Sequence, residues 1–253
     1  MKLKQFNKEI ETEPPTNSIR QFYPYNSRID TYFSNLITEL FEAASDKANE
    51  RIGNSKAEKR DRVVESDGGY KCIHLSIEEF ISSVSAMLKK QGIDDEKVNQ
   101  LTFLDIGCGV GQKVYLAKVF GFQSYGLELR EELIKEGKRL FKKLRIITEY
   151  DTYDNIGRHD TYDNIGRHDF VFIQGNALTF PDFAKFDVMY FYCPLFDNKL
   201  QVAMELHLAK TAKVGAIVIP KLAKGIFTFA NVTQQKEYGW KCKDRHFVKV
   251  ANP

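Results

Sequence analysis

The stretch FLDIGCGVGQ, residues 103–112, constrains this chain more than any other. Asp105 ends a short β run, and Gly107, Gly109 and Gly111 follow at alternate positions before a helical segment. Glycines at that place let the backbone turn sharply out of a strand and come close to a ligand. They also leave room for the next helix to pack on the strand. A strand, a glycine turn and a helix make up the first part of a βαβ unit, which belongs in a sheet covered by helices on both faces.

The downstream sequence keeps that rhythm. TFLDIG, SYGLEL, DFVFIQG, FDVMYFYC and VGAIVIPKL read as strands, and KVYLAKVF, REELIKEGKRLFKKL and NKLQVAMELHLAK read as helices between them. Strands separated by helical patterns imply a doubly wound parallel sheet with right-handed crossovers. The last part, IFTFANV followed by WKCKDRHFVKV, reads as antiparallel β with a turn at Lys243-Asp244.

Ahead of the sheet, residues 1–70 read as an arm and a helical extension, and residues 71–253 as the main domain. Pro14 and Pro15 block regular structure in the arm. Ile29, Phe33, Leu36, Ile37, Leu40, Phe41 and Ala44 recur at spacings of three and four, which places them on one helix face. A second helix starts at Ser76, where Ser76 and Glu79 have capping-box spacing and Leu75 and Phe80 have staple spacing. Gln91-Gly92 is its stop.

Bulk properties exclude several classes. Lys+Arg minus Asp+Glu is 37 − 34 = +3, too small for a strongly basic nucleic-acid protein, although local basic runs at 51–62 and 236–249 keep an anionic, RNA-like substrate in view. The longest apolar run, 188–196, falls far short of the ~20 residues of a membrane helix, so no membrane partner is expected. The opening MKLKQFNKEI has no apolar core of a secretory leader. Cys72, Cys108, Cys193 and Cys242 are widely spaced without a CxxC pair, which fits reduced thiols in a cytoplasmic protein and no metal site. TYDNIGRHD occurs at 152–160 and again at 161–169, a single duplication whose turn-like composition places it on an exposed loop. His159 and His168 arise from that copying, so the pair is no argument for a metal.

The dinucleotide fingerprint G-x-G-x-x-G would require Gly at 112, where this chain has Gln. The observed D-x-G-x-G-x-G resembles the first motif of the class I S-adenosylmethionine (SAM)-dependent methyltransferases. Further landmarks follow in order: Glu128 at the end of the second strand, 23 residues after Asp105, and Asn176 in QGNAL at the exit of the third. The resemblance spans residues 74–250. It implies an α/β fold with a doubly wound, seven-stranded, mostly parallel sheet and an antiparallel final strand. It also implies transfer of a methyl group from SAM to an acceptor that is a nucleic acid, a protein side chain or a small molecule. In that resemblance Asp105 holds the methionine part, and Gly107, Cys108, Gly109 and Gly111 form the loop beneath the cofactor. Glu128 accepts bonds from the ribose hydroxyls, Leu129 lies against adenine, and Asn176 with Ala177 lies at the adenine amino group.

The acceptor end is more open. Many amino-group methyltransferases carry Asn/Asp-Pro-Pro-aromatic after the fourth strand, and this chain has Tyr192-Cys193-Pro194-Leu195. Pro194 fits that pattern, while Tyr192 lacks the carbonyl acceptor of Asn or Asp. Cytosine-C5 enzymes use a Pro-Cys pair, and the order here is Cys-Pro. Tyr192, Cys193 and Pro194 are the candidate catalytic positions. GVGQ, YGLEL and KVGAIVIPKL are also similar to the non-SET lysine methyltransferases that act on histones, which keeps a protein lysine among the acceptors. Tyr70 and His74 stand where class I members cover the cofactor. Two other readings stay open: a non-catalytic SAM-binding or regulatory module with the same fold, and a nicotinamide-dependent oxidoreductase.

Overall fold

The computed structural model describes residues 27–54, 77–143, 170–192, 194–195, 197–221, 229, 231–244 and 246–252. Its centre is a seven-stranded sheet in the order β3-β2-β1-β4-β5-β7-β6. The strands are β1 (Thr102–Ile106), β2 (Gln123–Glu128), β3 (Phe170–Gln174), β4 (Val188–Tyr192), β5 (Ile217–Lys221), β6 (Trp240–Lys243) and β7 (His246–Lys249). β1 to β5 pair in parallel, and β7 inserts antiparallel between β5 and β6. This is the class I methyltransferase fold expected from the sequence. β2 and β3 extend to one side of β1, and β4 and β5 to the other. The order reverses at β1, and it is at the carboxyl ends of strands beside such a reversal, here β1 and β4, that open α/β sheets hold their ligands.

The helices are α1 (Ser27–Asn54), α2 (Ile77–Gln91), α3 (Asp95–Val98), α4 (Gln112–Val119), α5 (Glu131–Lys143), α6 (Asn198–Thr211) and α7 (Val232–Glu237). Strand alternation sorts the side chains onto two faces. Phe103, Phe172, Val188, Tyr190 and Ile219 pack under α2, α4 and α5. Leu104, Leu127, Met189, Phe191 and Val218 pack with Met204 and Leu208 of α6 and with Phe229 and Trp240. Both faces being covered accounts for the near-continuous apolar strands of the sequence.

α1 joins the first of these layers. Phe41, Ala44 and Ala48 are buried in the same cluster. Glu136 of α5, itself buried, pairs with Arg51 and with Arg139, and Lys47 Nζ lies 3.7 Å away. Ile29, Phe33, Leu36 and Ile37 have side chains outside the described residues. α2 stops as expected: Gly92 takes φ 63°, and the Ile93 N–H reaches back to the Leu88 carbonyl at 3.0 Å. Ser76 and Leu75, the expected cap and staple, lie outside the described residues, as do Tyr70, His74, Cys72, Cys193 and the duplicated segment at 152–169.

One expectation is corrected. At the end of IFTFANV the described residues are not strand: Phe229 sits in a 3-10 turn and Val232 begins α7, while residues 226–228 and 230 lie outside the described residues. The Asn231 side chain accepts from the Thr233 and Gln234 N–H groups at 3.0 and 3.1 Å. An N-cap that satisfies two orphan amides starts a helix at Val232 in spite of that residue's strand preference. The tight turn at Lys243-Asp244 is as read, with Asp244 at φ 64°. Among the described residues no helix is long and apolar enough to cross a membrane.

Candidate active site

The glycine loop is fastened to the neighbouring strand. Gly107 and Cys108 both donate their N–H to the Leu127 carbonyl, at 2.8 and 3.0 Å. The Gly109 N–H donates to Glu128 Oε2 at 2.9 Å. The other carboxylate oxygen, Oε1, accepts the Arg130 N–H at 2.9 Å. The loop after β1 therefore wraps the tip of β2, with the Glu128 carboxylate as its clasp.

Two of the glycines are required by space as well as by conformation. Gly107 has φ 76°, and a Cβ there would stand 2.4 Å from Cβ of Pro194. Gly111, the N-cap of α4, has φ 88°, and a Cβ would stand 2.7 Å from Phe172 Cζ. Pro194 is thus packed on the glycine loop. The Cys108 thiol is buried and turned toward Gly126, whose added Cβ would meet its sulfur at 2.6 Å.

Asp105 is 4% exposed and lies opposite Gly126 of β2 and Tyr190 of β4 in the parallel register. Burial pushes its carboxyl up to about 7; Lys113 works against that rise and Glu128 adds to it. Glu128 is 8% exposed, and burial raises its pKa too, opposed by the N–H bonds from Arg130 and Gly109. The two carboxyls therefore act on one another across a single neighbourhood at the carboxyl end of the sheet.

Leu129, next to Glu128, is 39% exposed at the rim. Asn176 is exposed at the exit of β3, beside half-buried Ala177, and its Oδ1 accepts the Leu178 N–H at 2.9 Å. Tyr192 ends β4 with 39% exposure and lies opposite Lys221 of β5. Lys221 Nζ reaches Glu79 Oε1 of α2 at 2.9 Å, so an ion pair borders Tyr192.

Three residues of this neighbourhood escaped the sequence reading. Gln112 and Lys113 open α4 and are both buried, with Lys113 Nζ bonded to Gln112 Oε1 at 2.5 Å. Gln112 Nε2 and the Tyr190 hydroxyl are buried without a hydrogen-bond partner among the described residues. The signal for Tyr190 was its position two residues before Tyr192, which puts both on one side of β4. The signal for Gln112 and Lys113 was two polar residues in the first turn of a helix that packs on the sheet.

No family model matches the chain, and no curated protein matches it. Solved structures do. An RNA methyltransferase from Salinibacter ruber, in complex with S-adenosyl-L-homocysteine (SAH), is 16% identical with a TM-score of 0.40, over 58% of this chain and 76% of that one. Precorrin-6y C5,15-methyltransferase from Geobacter metallireducens is 12% identical with a TM-score of 0.44, over 68% of this chain and 77% of that one. PKMT2 from Rickettsia typhi, also with SAH, is 19% identical with a TM-score of 0.36, over 49% of this chain and 21% of that one. By its own strand order, with the final antiparallel insertion, this chain has the class I methyltransferase fold.

Proposed function

We propose that this chain is a SAM-dependent methyltransferase. One observation carries the reading: the Glu128 carboxylate clasps the glycine loop through Gly109 while sharing its neighbourhood with Asp105, at the reversal point of the sheet. The residues fit the cofactor in two ways. Glu128 uses two of roughly four lone-pair positions on backbone amides, which leaves capacity for two ribose hydroxyls. Gln112 and Tyr190 hold buried polar atoms that lack a partner among the described residues.

When bound, SAM supplies an activated sulfonium methyl that is displaced in line by the acceptor. The chain's work is then binding, alignment and exclusion of water. Asp105 balances the cationic amino group, and the loop of Gly107, Cys108, Gly109 and Gly111 supports the nucleoside from below. Leu129 gives adenine an apolar wall, and Asn176 and Ala177 flank its edge. Because Asn176 Oδ1 already accepts from Leu178, only its second lone pair is left for an adenine amino group. The acceptor approaches at the end of β4, where Tyr192 forms a wall, and Cys193, outside the described residues, adjoins it. Pro194 holds the glycine loop at the correct height beneath that approach.

Titration calorimetry with SAH tests the binding, and transfer of labelled methyl from SAM into fractionated cell extract tests the reaction. Label in nucleic acid, protein or small molecules identifies the acceptor class. Binding with no label in any fraction would favour a non-catalytic module, and absence of SAH binding would defeat the proposal.

A further inference from the structure

Tyr190 is the least explained residue near the site. It is 1% exposed, its ring meets Phe80 edge-on at 5.1 Å, and its hydroxyl has no hydrogen-bond partner among the described residues. A buried, unpaired hydroxyl costs stability, so its retention calls for a partner that arrives from outside. The β1–β4 register sets Tyr190 directly beside Asp105, on the same face of the sheet.

The surroundings indicate the sign of that partner. Asp105, Glu79 and Tyr192 all raise the pKa of Tyr190 above its ordinary value, on top of burial, so the phenol is neutral and sits in a negative potential. Three carboxyl groups converge here, those of Asp105, Glu79 and Glu128. Against them stand three cations, Lys113 acting on Asp105, Lys221 on Glu79 and Arg130 on Glu128. A neutral phenol oxygen in such a place suits an N–H donor on a cation better than an anion.

We infer that the Tyr190 hydroxyl oxygen is a second ligand, beside Asp105, for the cationic amino group at the amino-acid end of the cofactor. This rests on the cofactor reading above. It makes Tyr190 a specificity residue: it distinguishes a nucleoside thioether that carries an α-amino group from one that does not.

Tyr190→Phe keeps the ring against Phe80 and removes only the hydroxyl. Scanning calorimetry of the free protein should give a Tm higher by about 2 °C, because an unpaired buried group is gone. Titration calorimetry should give a Kd for SAH weaker by about tenfold, as for a lost hydrogen bond to a charged group. The Kd for the desamino analogue of SAH, which has the same nucleoside and carboxylate but no amine, should be unchanged. Equal losses on both ligands, or no loss on SAH, would overturn the inference. A lower Tm of the free variant would overturn it too, since the hydroxyl would then be supporting the fold. Failure of the wild-type protein to bind SAH at all would instead defeat the cofactor reading, and this inference with it.

Discussion

The Gly109 N–H and Glu128 Oε2 stand 2.9 Å apart, so the turn that leaves β1 is tied to the tip of β2 by one charge-assisted hydrogen bond. The same carboxylate caps the Arg130 N–H at the start of α5. A single side chain therefore sets the shape of the glycine loop and the direction in which the chain leaves β2, and it keeps lone pairs to spare for a ligand.

Glu128→Ala should be costly on both counts. It leaves two loop amides without an acceptor, worth about 1–3 kcal/mol of stability. It should weaken SAH binding about 100-fold or more by titration calorimetry. Glu128→Gln keeps one carbonyl oxygen and should fall between the variant and the wild type. Wild-type affinity in Glu128→Ala would remove this residue from the site.

The raised pKa of Asp105 predicts opposite pH trends for stability and for binding. Its folded value, about 7, lies above its ordinary value of 3.8, so the folded protein holds this proton more tightly than the unfolded chain. That contribution is fully present below about 3.8 and is lost as pH rises through 7. Free-protein stability measured by urea unfolding from pH 5 to pH 8 should carry this falling component, and Asp105→Asn should abolish it. Binding a cationic amino group requires the ionised form. SAH affinity should therefore weaken by up to about tenfold for each pH unit below 7, and Asp105→Asn should flatten the profile.

Gly107 and Gly215 separate strain from collision. Gly215 has φ 89° with nothing within 4 Å of an added Cβ, whereas Gly107 at φ 76° would bring its Cβ to 2.4 Å from Pro194. Gly215→Ala should cost about 1 kcal/mol, the left-handed penalty alone. Gly107→Ala should cost about 3 kcal/mol or more and abolish SAH binding, because the loop and Pro194 must both shift. Midpoints of urea unfolding for the two variants test the ordering.

Glu136 should govern how firmly α1 sits on the body. Its carboxylate is buried, while Arg51, Lys47 and Arg139 are about half exposed, so water screens each pair. Glu136→Ala should cost about 1–2 kcal/mol and expose three unpaired cations to one another. Hydrogen exchange should accelerate in α1 ahead of the sheet. Unchanged protection of α1 would mean that Phe41, Ala44 and Ala48 alone secure it.

Periodicity and spacing along the chain determined a great deal by themselves. The alternation of apolar strands with helical patterns specified a parallel sheet covered on both faces. D-x-G-x-G-x-G after one strand and Glu128 at the end of the next placed two carboxyls at strand ends on the same side of the sheet. These signals are local, because strand ends, turns and caps are governed by residues close in sequence. Where a local signal competed with another, the stronger one decided, as when Asn231 started a helix at Val232, the last residue of a segment that reads as a strand. Only the tertiary structure decided which residues meet across strands. Nothing near Asp105 in the chain reveals that Tyr190 will stand beside it, since that neighbour depends on the register of β4 against β1. Nor does the sequence show that Pro194 packs on Gly107, or that Glu136 is buried under α1. Those contacts join residues tens of positions apart, and they exist only once the whole sheet has closed around its two layers of helices.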